Sequence, residues 1–598
     1  MLKHNALLIY LLCAAFTLPA GNLINVSWGD NIMVGTGVSQ LDTPEKIRTS
    51  LKQWKDNYNG ELIIWRLSSE YIRRFYEQPT KTPFYIQYEK RINEIMAQFD
   101  PITVVDAAVK ENGQKFLPYC TIFDHGAPDS VQWADIVPFP WQDREMIAHP
   151  EYQEKDLEGN YHYGVLDLSI PESRAFMIKR LVDFVDEYKA DGIYVCTRTH
   201  SNPALHADQF GFGPEIVKEY QKRYGIDITR DPRFDYKSEH FAPNDPALDQ
   251  WRKMRGEYFV TFMRELREKM GSRIIYLAIP RGTIIGAPYG NMFVDKETLL
   301  KEKLVDGMVL GVITGRGLYS KRTTPHKELG YLESNDDNYN LPSIDEEITA
   351  LRKFNPEAKF YFQQNFNRAP LKTADGIMFM APAGRATPFL LDTPELNTKN
   401  LLVEAFIKIS PKQNLNISPR IISKYNHGYG YGRGWEIRLD KGCPVFRTYT
   451  RTPQGLKDDH LYTEVKLETG KWYHLAAVFD SAKGERRFYI DGKEVAKNQF
   501  PAGSTISETP HVDVMLGNYN HTSAEFKGEL DEVRISDSSR FRGVPKKPYT
   551  GKEPGTLALW HFDSGSGNVD AGSAVAASRF TGSPVLVPGV LGNALSLE

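Results

Sequence analysis

The sequence predicts a parallel eight-stranded (β/α)8 barrel followed by an antiparallel all-β sandwich, and three observations carry that prediction. From Asn22 to about Gly384, short apolar runs alternate with amphipathic helical stretches, the pattern of βα units around a parallel sheet. Three of those runs are entered through the same turn: Ala190-Asp191-Gly192, Val305-Asp306-Gly307 and Ala374-Asp375-Gly376. After Gly384 the helical periodicity stops, and short alternating runs recur with Gly, Asn and Asp between them.

The first element is a leader. Lys3 and His4 precede the apolar run Ala6–Phe16, and Leu18-Pro19-Ala20-Gly21 follows. A basic start, a short apolar core and a small residue at the cleavage position read as a secretory signal over 1–20, cut after Ala20. The run falls short of the ~20 apolar residues that span a bilayer. Lipidation at Cys13 ranks behind, because Leu12 stands where a lipobox has a small residue. The expectation is an exported protein of bacterial type, periplasmic or extracellular, with no membrane span.

Eight apolar runs then supply the barrel strands over 21–384: Leu23–Trp28, Leu62–Leu67, Phe116–Phe123, Gly192–Cys196, Ile274–Ile279, Gly307–Val312, Lys359–Gln364 and Gly376–Met380. Pro171 opens a helix whose apolar face runs Phe176, Leu181, Val182, Phe184, Val185 and Tyr188. Asp100-Pro101 caps another that stops at Gly113. Eight units in about 360 residues make a TIM-type barrel with its extra length in the loops after strands 3 and 4. An open doubly wound sheet is the alternative, and no G-x-G-x-x-G supports it.

Runs such as Leu402–Ile409, Trp472–Phe479 and Arg487–Ile490 place the sandwich over 385–543. Val544-Pro545-Lys546-Lys547-Pro548 reads as a linker within 544–554. Residues 555–598 hold too few strand-like runs to bury a core alone.

The sandwich resembles the LamG-like jelly roll of the concanavalin A-like superfamily. The carrying residues are Leu401-Leu402-Val403-Glu404-Ala405-Phe406-Ile407-Lys408, Trp472-Tyr473-His474-Leu475-Ala476-Ala477-Val478-Phe479-Asp480, Phe488-Tyr489-Ile490-Asp491-Gly492-Lys493 and Gly528-Glu529-Leu530-Asp531-Glu532-Val533-Arg534-Ile535. The barrel resembles secreted glycoside-hydrolase-like barrels related to family 10, through His149-Pro150-Glu151-Tyr152, Val165-Leu166-Asp167-Leu168 leading to Pro171-Glu172, Asp191-Gly192-Ile193-Tyr194-Val195 and Tyr289-Gly290-Asn291-Met292. The resemblance implies a carbohydrate-active protein. It departs from the usual glycosidase pattern, which sets an acid/base carboxylate at the end of strand 4 and a nucleophile at the end of strand 7. Here those ends read Cys196-Thr197-Arg198-Thr199-His200 and Gln363-Gln364-Asn365-Phe366, with no Asp or Glu.

LamG-like domains generally open with a strand like Leu-Trp-His-Phe-Asp and a closing Gly-Asn-Ala-Leu-Ser-Leu. In this chain those pieces stand at the far end, as Leu559-Trp560-His561-Phe562-Asp563 and Gly592-Asn593-Ala594-Leu595-Ser596-Leu597. A circular permutation is therefore expected, in which 555–598 completes the sandwich. The start of a further domain is the alternative.

Composition bounds the partners. With 73 basic against 76 acidic residues, no field favours nucleic acid or an anionic membrane. Aromatics at 12% suit sugar stacking as well as large cores. Four cysteines exclude a disulfide scaffold and a Cys-built zinc site. The oligomeric state leaves no mark in the sequence.

In a barrel, catalytic groups project from the C-terminal strand ends. Those ends supply Trp28 and Asp30, Arg66 and Glu70, Asp124 and His125, Arg198 and His200, Arg281, Arg316, and Gln364 with Asn365. Glycoside hydrolysis needs a proton donor and a base or nucleophile, normally two carboxyls. Asp124 is the best acid candidate, with Asp30 and Glu70 competing for the second role. The remaining residues are read as substrate contacts, and Trp28, Trp65 and Trp141 as sugar platforms or core. His125 and His200 lack a metal-ligand spacing, so neither metal nor cofactor is expected. Cys196 and Cys120 are read as packed thiols rather than a disulfide. Arg66, Arg198, Arg281 and Arg316 either meet carboxylates within the protein or mark a site for an anionic sugar. In the sandwich, Asn426–Gly432 is an aromatic loop suited to sugar contact or an ordinary hairpin, and no dense carboxylate loop suggests calcium. The expected function is glycoside hydrolysis on a glycan that the jelly roll binds or positions. The rival is a carbohydrate-binding or scaffold protein with a degenerate barrel.

Overall fold

The computed structural model describes residues 21–26, 41–66, 74–77, 83–128, 132–133, 137–138, 142–197, 204–286, 289–311, 330–332, 344–364, 373–380, 388–390, 394–428, 431–507, 514–518, 525–563, 578–580 and 585–597. The leader expected at 1–20 lies outside them. No described helix is long and apolar enough to cross a membrane.

Eight short runs rich in Ile, Val, Leu and Tyr form the barrel strands: β1 (Asn22–Val26), β2 (Gly60–Arg66), β3 (Lys115–Thr121), β4 (Gly192–Cys196), β5 (Ile274–Ile279), β6 (Gly307–Leu310), β7 (Lys359–Gln364) and β8 (Gly376–Met380). Each is parallel to its sequence neighbours, and β8 closes on β1 through Leu23↔Met378. That closure removes the open doubly wound alternative. Two strands stop earlier than the apolar runs do. β3 ends at Thr121, where its pairing with β4 ends, and β6 ends before Gly311, whose φ of +77° turns the chain away.

The recurrent Asp-Gly turn has a physical reason. The first N–H of a barrel strand can lack a ladder acceptor, and an orphaned buried donor is costly. Asp191, entering β4, accepts from Phe116 N of β3 at 2.9 Å. Asp306, entering β6, accepts from Ile275 N of β5 at 2.7 Å, and Asp375, entering β8, accepts from Phe360 N of β7 at 2.8 Å. The following glycine is required by close approach, since a Cβ on Gly192 would stand 2.0 Å from Ile274 O.

Side-chain alternation divides the barrel into an interior and a helix-facing layer. Tyr119, Tyr194, Cys196, Tyr276, Tyr361 and Met378 fill the interior. Trp65 and Cys120 face the helices instead. Trp65 is therefore core rather than a sugar platform, and Cys120 and Cys196 lie on opposite faces of the sheet, so the two thiols cannot bridge. The helix Pro171–Glu187 buries Met177, Leu181, Phe184 and Val185. The helix Pro101–Glu111 starts under an Asp100 side-chain cap on Ile102 N. The long loops after β3 and β4 carry the hairpin 153–166 and the helix Pro214–Tyr224 before the helix Pro246–Met270 begins.

The second half contains strands β9 (Pro388–Leu390), β10 (Leu401–Ile409), β11 (Arg420–Gly428), β12 (Tyr431–Asp440), β13 (Cys443–Thr452), β14 (Gly455–Tyr462), β15 (Trp472–Asp480), β16 (Glu485–Ile490), β17 (Lys493–Gln499), β18 (Val514–Leu516), β19 (Gly528–Ser536), β20 (Thr556–Trp560), β21 (Ser578–Phe580), β22 (Val585–Pro588) and β23 (Asn593–Ser596). One antiparallel sheet runs β14-β13-β12-β11-β18-β9-β21, and the other β17-β16-β15-β10-β19-β23-β22 with β20 also on β19. Val403, Ile407, Trp435, Phe446, Leu475 and Trp560 are among the residues packed between them. Of the segment Asn426–Gly432, the described ends pair through His427↔Gly432 and Gly428↔Tyr431, and Tyr429 and Gly430 lie outside the described residues.

The described segments beyond 543 are built into this sandwich. Val533 pairs with Trp560, Leu530 with Leu595 and Phe389 with Arg579. Asp531 Oδ2 accepts from Val590 N and Leu591 N at 2.7 and 2.9 Å, and Asp563 Oδ1 accepts from Asn593 N at 2.8 Å. Residues 544–554 lie along the outer face of the second sheet: Tyr549 donates through N to Glu532 Oε2 and through its hydroxyl to Glu404 Oε1, both at 2.9 Å.

Candidate functional site

Two of the mouth residues meet at the C-terminal end of the barrel. Arg66 is the last residue of β2, and Asp124 follows the end of β3. The Arg66 Nη2–Asp124 Oδ2 distance is 3.0 Å, with the side chains only 14% and 4% exposed. Arg66 also sits over the Tyr119 ring at 5.7 Å, and Tyr119 donates its hydroxyl to Cys196 Sγ at 3.3 Å. The Asp124 backbone is fixed by Tyr76, whose hydroxyl donates to Asp124 O at 3.0 Å. Burial first, then the Asp143 and Asp124 charges, raise the Tyr76 phenol well above its ordinary range. An ion-paired carboxylate suits a base, a nucleophile or a group that stabilises positive charge.

His125 turns away from the mouth. Its Nδ1 lies 2.9 Å from Asp143 Oδ2 and its Nε2 3.3 Å from Ile122 O, and the residue is 1% exposed. Arg180 binds the same carboxylate, at 2.5 and 3.3 Å, and lies 3.9 Å from the centroid of the Phe75 ring. Burial opposes ionisation of Asp143, but the His125 hydrogen bond and charge, then Arg180, outweigh it and hold the carboxyl down at about 2. His125 is therefore an anchor for the loop after β3 and not a substrate contact.

Arg281 also leaves the expected cluster. Its Nε binds Glu347 Oε2 at 3.1 Å, while Lys296 Nζ and Gly282 N reach Glu347 Oε1 at 2.8 and 3.2 Å. Burial raises the Glu347 carboxyl, but Lys296 and Arg281 together hold it below its ordinary value. Arg281 braces the loop after β5 against the helix Ile344–Arg352. Both arginines that can be placed are thus matched by carboxylates of the protein. Gln364 ends β7 opposite Phe379. Trp28, Asp30, Glu70, Trp141, Arg198, His200, Arg316 and Asn365 lie outside the described residues.

Asn25 was not singled out by the sequence reading. It stands two residues after interior Leu23 on β1, is buried, and its Oδ1 has no hydrogen-bond partner among the described residues. A polar residue inside the apolar run Leu23–Trp28 was the available signal.

The motifs behind the barrel resemblance resolve into a buried scaffold beside the mouth. Glu154 receives Arg255 Nη2 at 2.9 Å and the Tyr289 hydroxyl at 2.7 Å. Arg252 Nη2 and Asn291 Nδ2 donate to Asp208 Oδ2 at 2.6 and 3.0 Å. Burial, reinforced by the Glu154 charge, pushes Asp167 up to about 6. These contacts join the hairpin 153–166 to the helix Pro246–Met270 and the loop after β5. Among the described residues no three His, Cys, Asp or Glu side chains group as metal ligands.

In the sandwich, the hairpin Asn426–Gly432 continues from a polar aromatic face. Arg447 forms a two-point bond with Asp458 at 2.8 and 2.6 Å and lies 4.8 Å over the Tyr425 ring, and Tyr449 donates to Asp458 at 3.0 Å.

Comparison with known proteins bears on the two halves unequally. No curated protein matches the chain. A solved protein from Bacteroides ovatus named for carbohydrate binding is 14% identical over 33% of this chain, with a TM-score of 0.24, and the match covers 60% of that protein, less than two thirds of its length. The catalytic domain of β-amylase from Paenibacillus polymyxa is 11% identical, with a TM-score of 0.33 over 60% of this chain and 91% of that one. The CBM40 of the Ruminococcus gnavus IT-sialidase is 14% identical, with a TM-score of 0.23 over 27% of this chain and 90% of that one. Similarity at these scores carries no argument, so the barrel rests on its own strand order. The model of the concanavalin A-like lectin/glucanases superfamily matches residues 384–542, and this segment is a concanavalin A-like domain.

Proposed function

We propose that this protein is a carbohydrate-active protein whose barrel mouth acts as a glycoside hydrolase and whose concanavalin A-like domain binds or positions the glycan. The observation that carries the reading is the Arg66–Asp124 pair at the barrel's C-terminal face, where barrel enzymes place their chemistry. Asp124 serves as the carboxylate that faces developing positive charge, or as nucleophile or base. Asp30 and Glu70, expected from the sequence to compete for the second carboxyl role, then become the candidates for the proton donor. Trp28, Arg198, His200, Arg316, Gln364 and Asn365 are the proposed sugar contacts, and the reaction calls on no cofactor. The anionic-sugar reading now rests on Arg198 and Arg316, since Arg66 and Arg281 are internally matched. Export through the 1–20 leader completes the reading.

A second reading is favoured by one specific observation. The ends of β4 and β7 carry no Asp or Glu, as a binding or scaffold barrel would allow. A polysaccharide-array hydrolysis screen with wild type and Asp124→Asn separates the two. Turnover that falls by 10²-fold or more in the variant supports the hydrolase, on the usual scale for losing a catalytic carboxylate or base. Binding without turnover in wild type supports the scaffold. Equal affinity of wild type and Arg198→Ala for acidic glycans and their desulfated or reduced counterparts removes the anionic-sugar reading.

A further inference from the structure

His474 is a buried imidazole on the second sheet of the sandwich. It lies on β15 opposite Phe406 of β10, on the face of the second sheet away from the inter-sheet core. It is 1% exposed, and among the described residues neither ring nitrogen has a hydrogen-bond partner. Its ring meets Phe406 edge-on at 4.8 Å and stacks on Phe541 at 5.9 Å with an interplanar angle of 17°. Phe541 belongs to the irregular segment between β19 and β20, which crosses this face as a strap and also packs on Tyr489 of β16 at 4.6 Å.

Among the described residues, no charged or titratable group accepts from the His474 ring. β19 presents Arg534, a like charge for an imidazolium. Glu404 of β10 is engaged by Arg534 and by the Tyr549 hydroxyl of the strap. Arg487 of β16 donates to Ser539 O of the strap at 2.9 Å. Asp491 Oδ1 accepts from the backbone N–H of His474 at 2.8 Å and not from its ring. Burial first, then Arg534, hold the imidazole down at about 4.

We propose that residues 537–555 form an acid-released strap, with His474 as the group that releases it. A proton on this ring has nowhere to go but water. The sheet beneath is held by continuous ladders, whereas the strap is held by a few side-chain contacts, so hydrating the imidazolium lifts the strap first. Lifting it uncovers the apolar strip of Leu402, Ala476 and Val478. The folded value lies below the ordinary 6.5, so the closed strap is fully favoured above pH 6.5 and loses its advantage as pH falls towards 4. Between pH 7 and pH 5 the opening equilibrium should rise roughly 20-fold by that linkage.

The test is hydrogen exchange by mass spectrometry on the full chain at pH 7 and pH 5, corrected for intrinsic exchange rates. In wild type, protection of peptides from 537–555 should fall roughly 20-fold while the β10 and β15 ladders keep theirs. In His474→Phe, which keeps the aromatic stack and cannot take a proton, the strap should keep its protection at both pH values. His474→Leu serves the same purpose if the phenylalanine variant does not fold. Equal loss in wild type and in either variant, or no loss in wild type, would overturn the proposal.

Discussion

Asp167 shows how a buried group without a matching charge leaves a pH signature. Its carboxyl is raised to about 6 from 3.8 by burial and by Glu154. The sign follows directly: the folded protein disfavours the ionised form, so the contribution of Asp167 to stability is fully present below 3.8 and is lost as pH rises through 6. The two-unit shift caps the cost at about 3 kcal/mol at pH 7. Asp167→Asn keeps an oxygen for Ser169 N and Oγ and removes the charge. Thermal melts at pH 4 and pH 7 should show the variant stabilised at the higher pH only, and a parallel profile for both proteins would refute the assignment. Asp143 is the opposite case, because its carboxylate is the favoured form. Arg180→Met leaves that buried charge with His125 and the Glu145 N–H, and the barrel's urea midpoint should drop by the equivalent of about 3 kcal/mol.

At the scale of elements, the Asp-Gly turn combines two constraints at one place. The aspartate supplies an acceptor to the neighbouring strand, and the glycine allows the strands to approach. Asp306→Ala strands Ile275 N and should cost about 1–3 kcal/mol. Gly192→Ala drives a Cβ to 2.0 Å from a backbone oxygen that cannot move without breaking the β4–β5 ladder. It should be the more severe of the two in chemical denaturation, and a milder effect would contradict the close approach. This level was the most legible in the sequence. Four strands begin and end where the apolar runs do: Gly192–Cys196, Ile274–Ile279, Lys359–Gln364 and Gly376–Met380. The turn residue, the Pro-opened helices and the Asp100 cap are local signals, written within a few residues of the element they control.

At the scale of the whole molecule, the described strands of the tail, Thr556–Trp560, Ser578–Phe580, Val585–Pro588 and Asn593–Ser596, are distributed over both sandwich sheets, and Trp560, Phe562, Leu595 and Leu597 are buried in the shared core. We read this as a circularly permuted jelly roll. Deleting 555–598 bares one side of β19 and part of that core. Near-UV circular dichroism and proteolysis should then show a sandwich without fixed packing beside an intact barrel. A truncated sandwich that unfolds with wild-type cooperativity would count against the reading.

The chain's local pattern determined the class of each half, the strand count of the barrel and the strand-like pieces of the tail, because periodicity and turn chemistry act over a few residues. Pairing partners were decided only in three dimensions. The sequence put His125 and Arg281 at the mouth by their distance from a strand end, yet His125 swings to Asp143 and Arg281 to Glu347. It offered Asp124 as an acid, and Arg66, 58 residues away, makes it an ion pair. It gave Trp65 and Cys120 no side of the sheet, and alternation within the closed barrel turned both towards the helices. A charge buried in a low-dielectric interior goes to whichever opposite charge the fold brings within reach, and that distance has no counterpart along the chain.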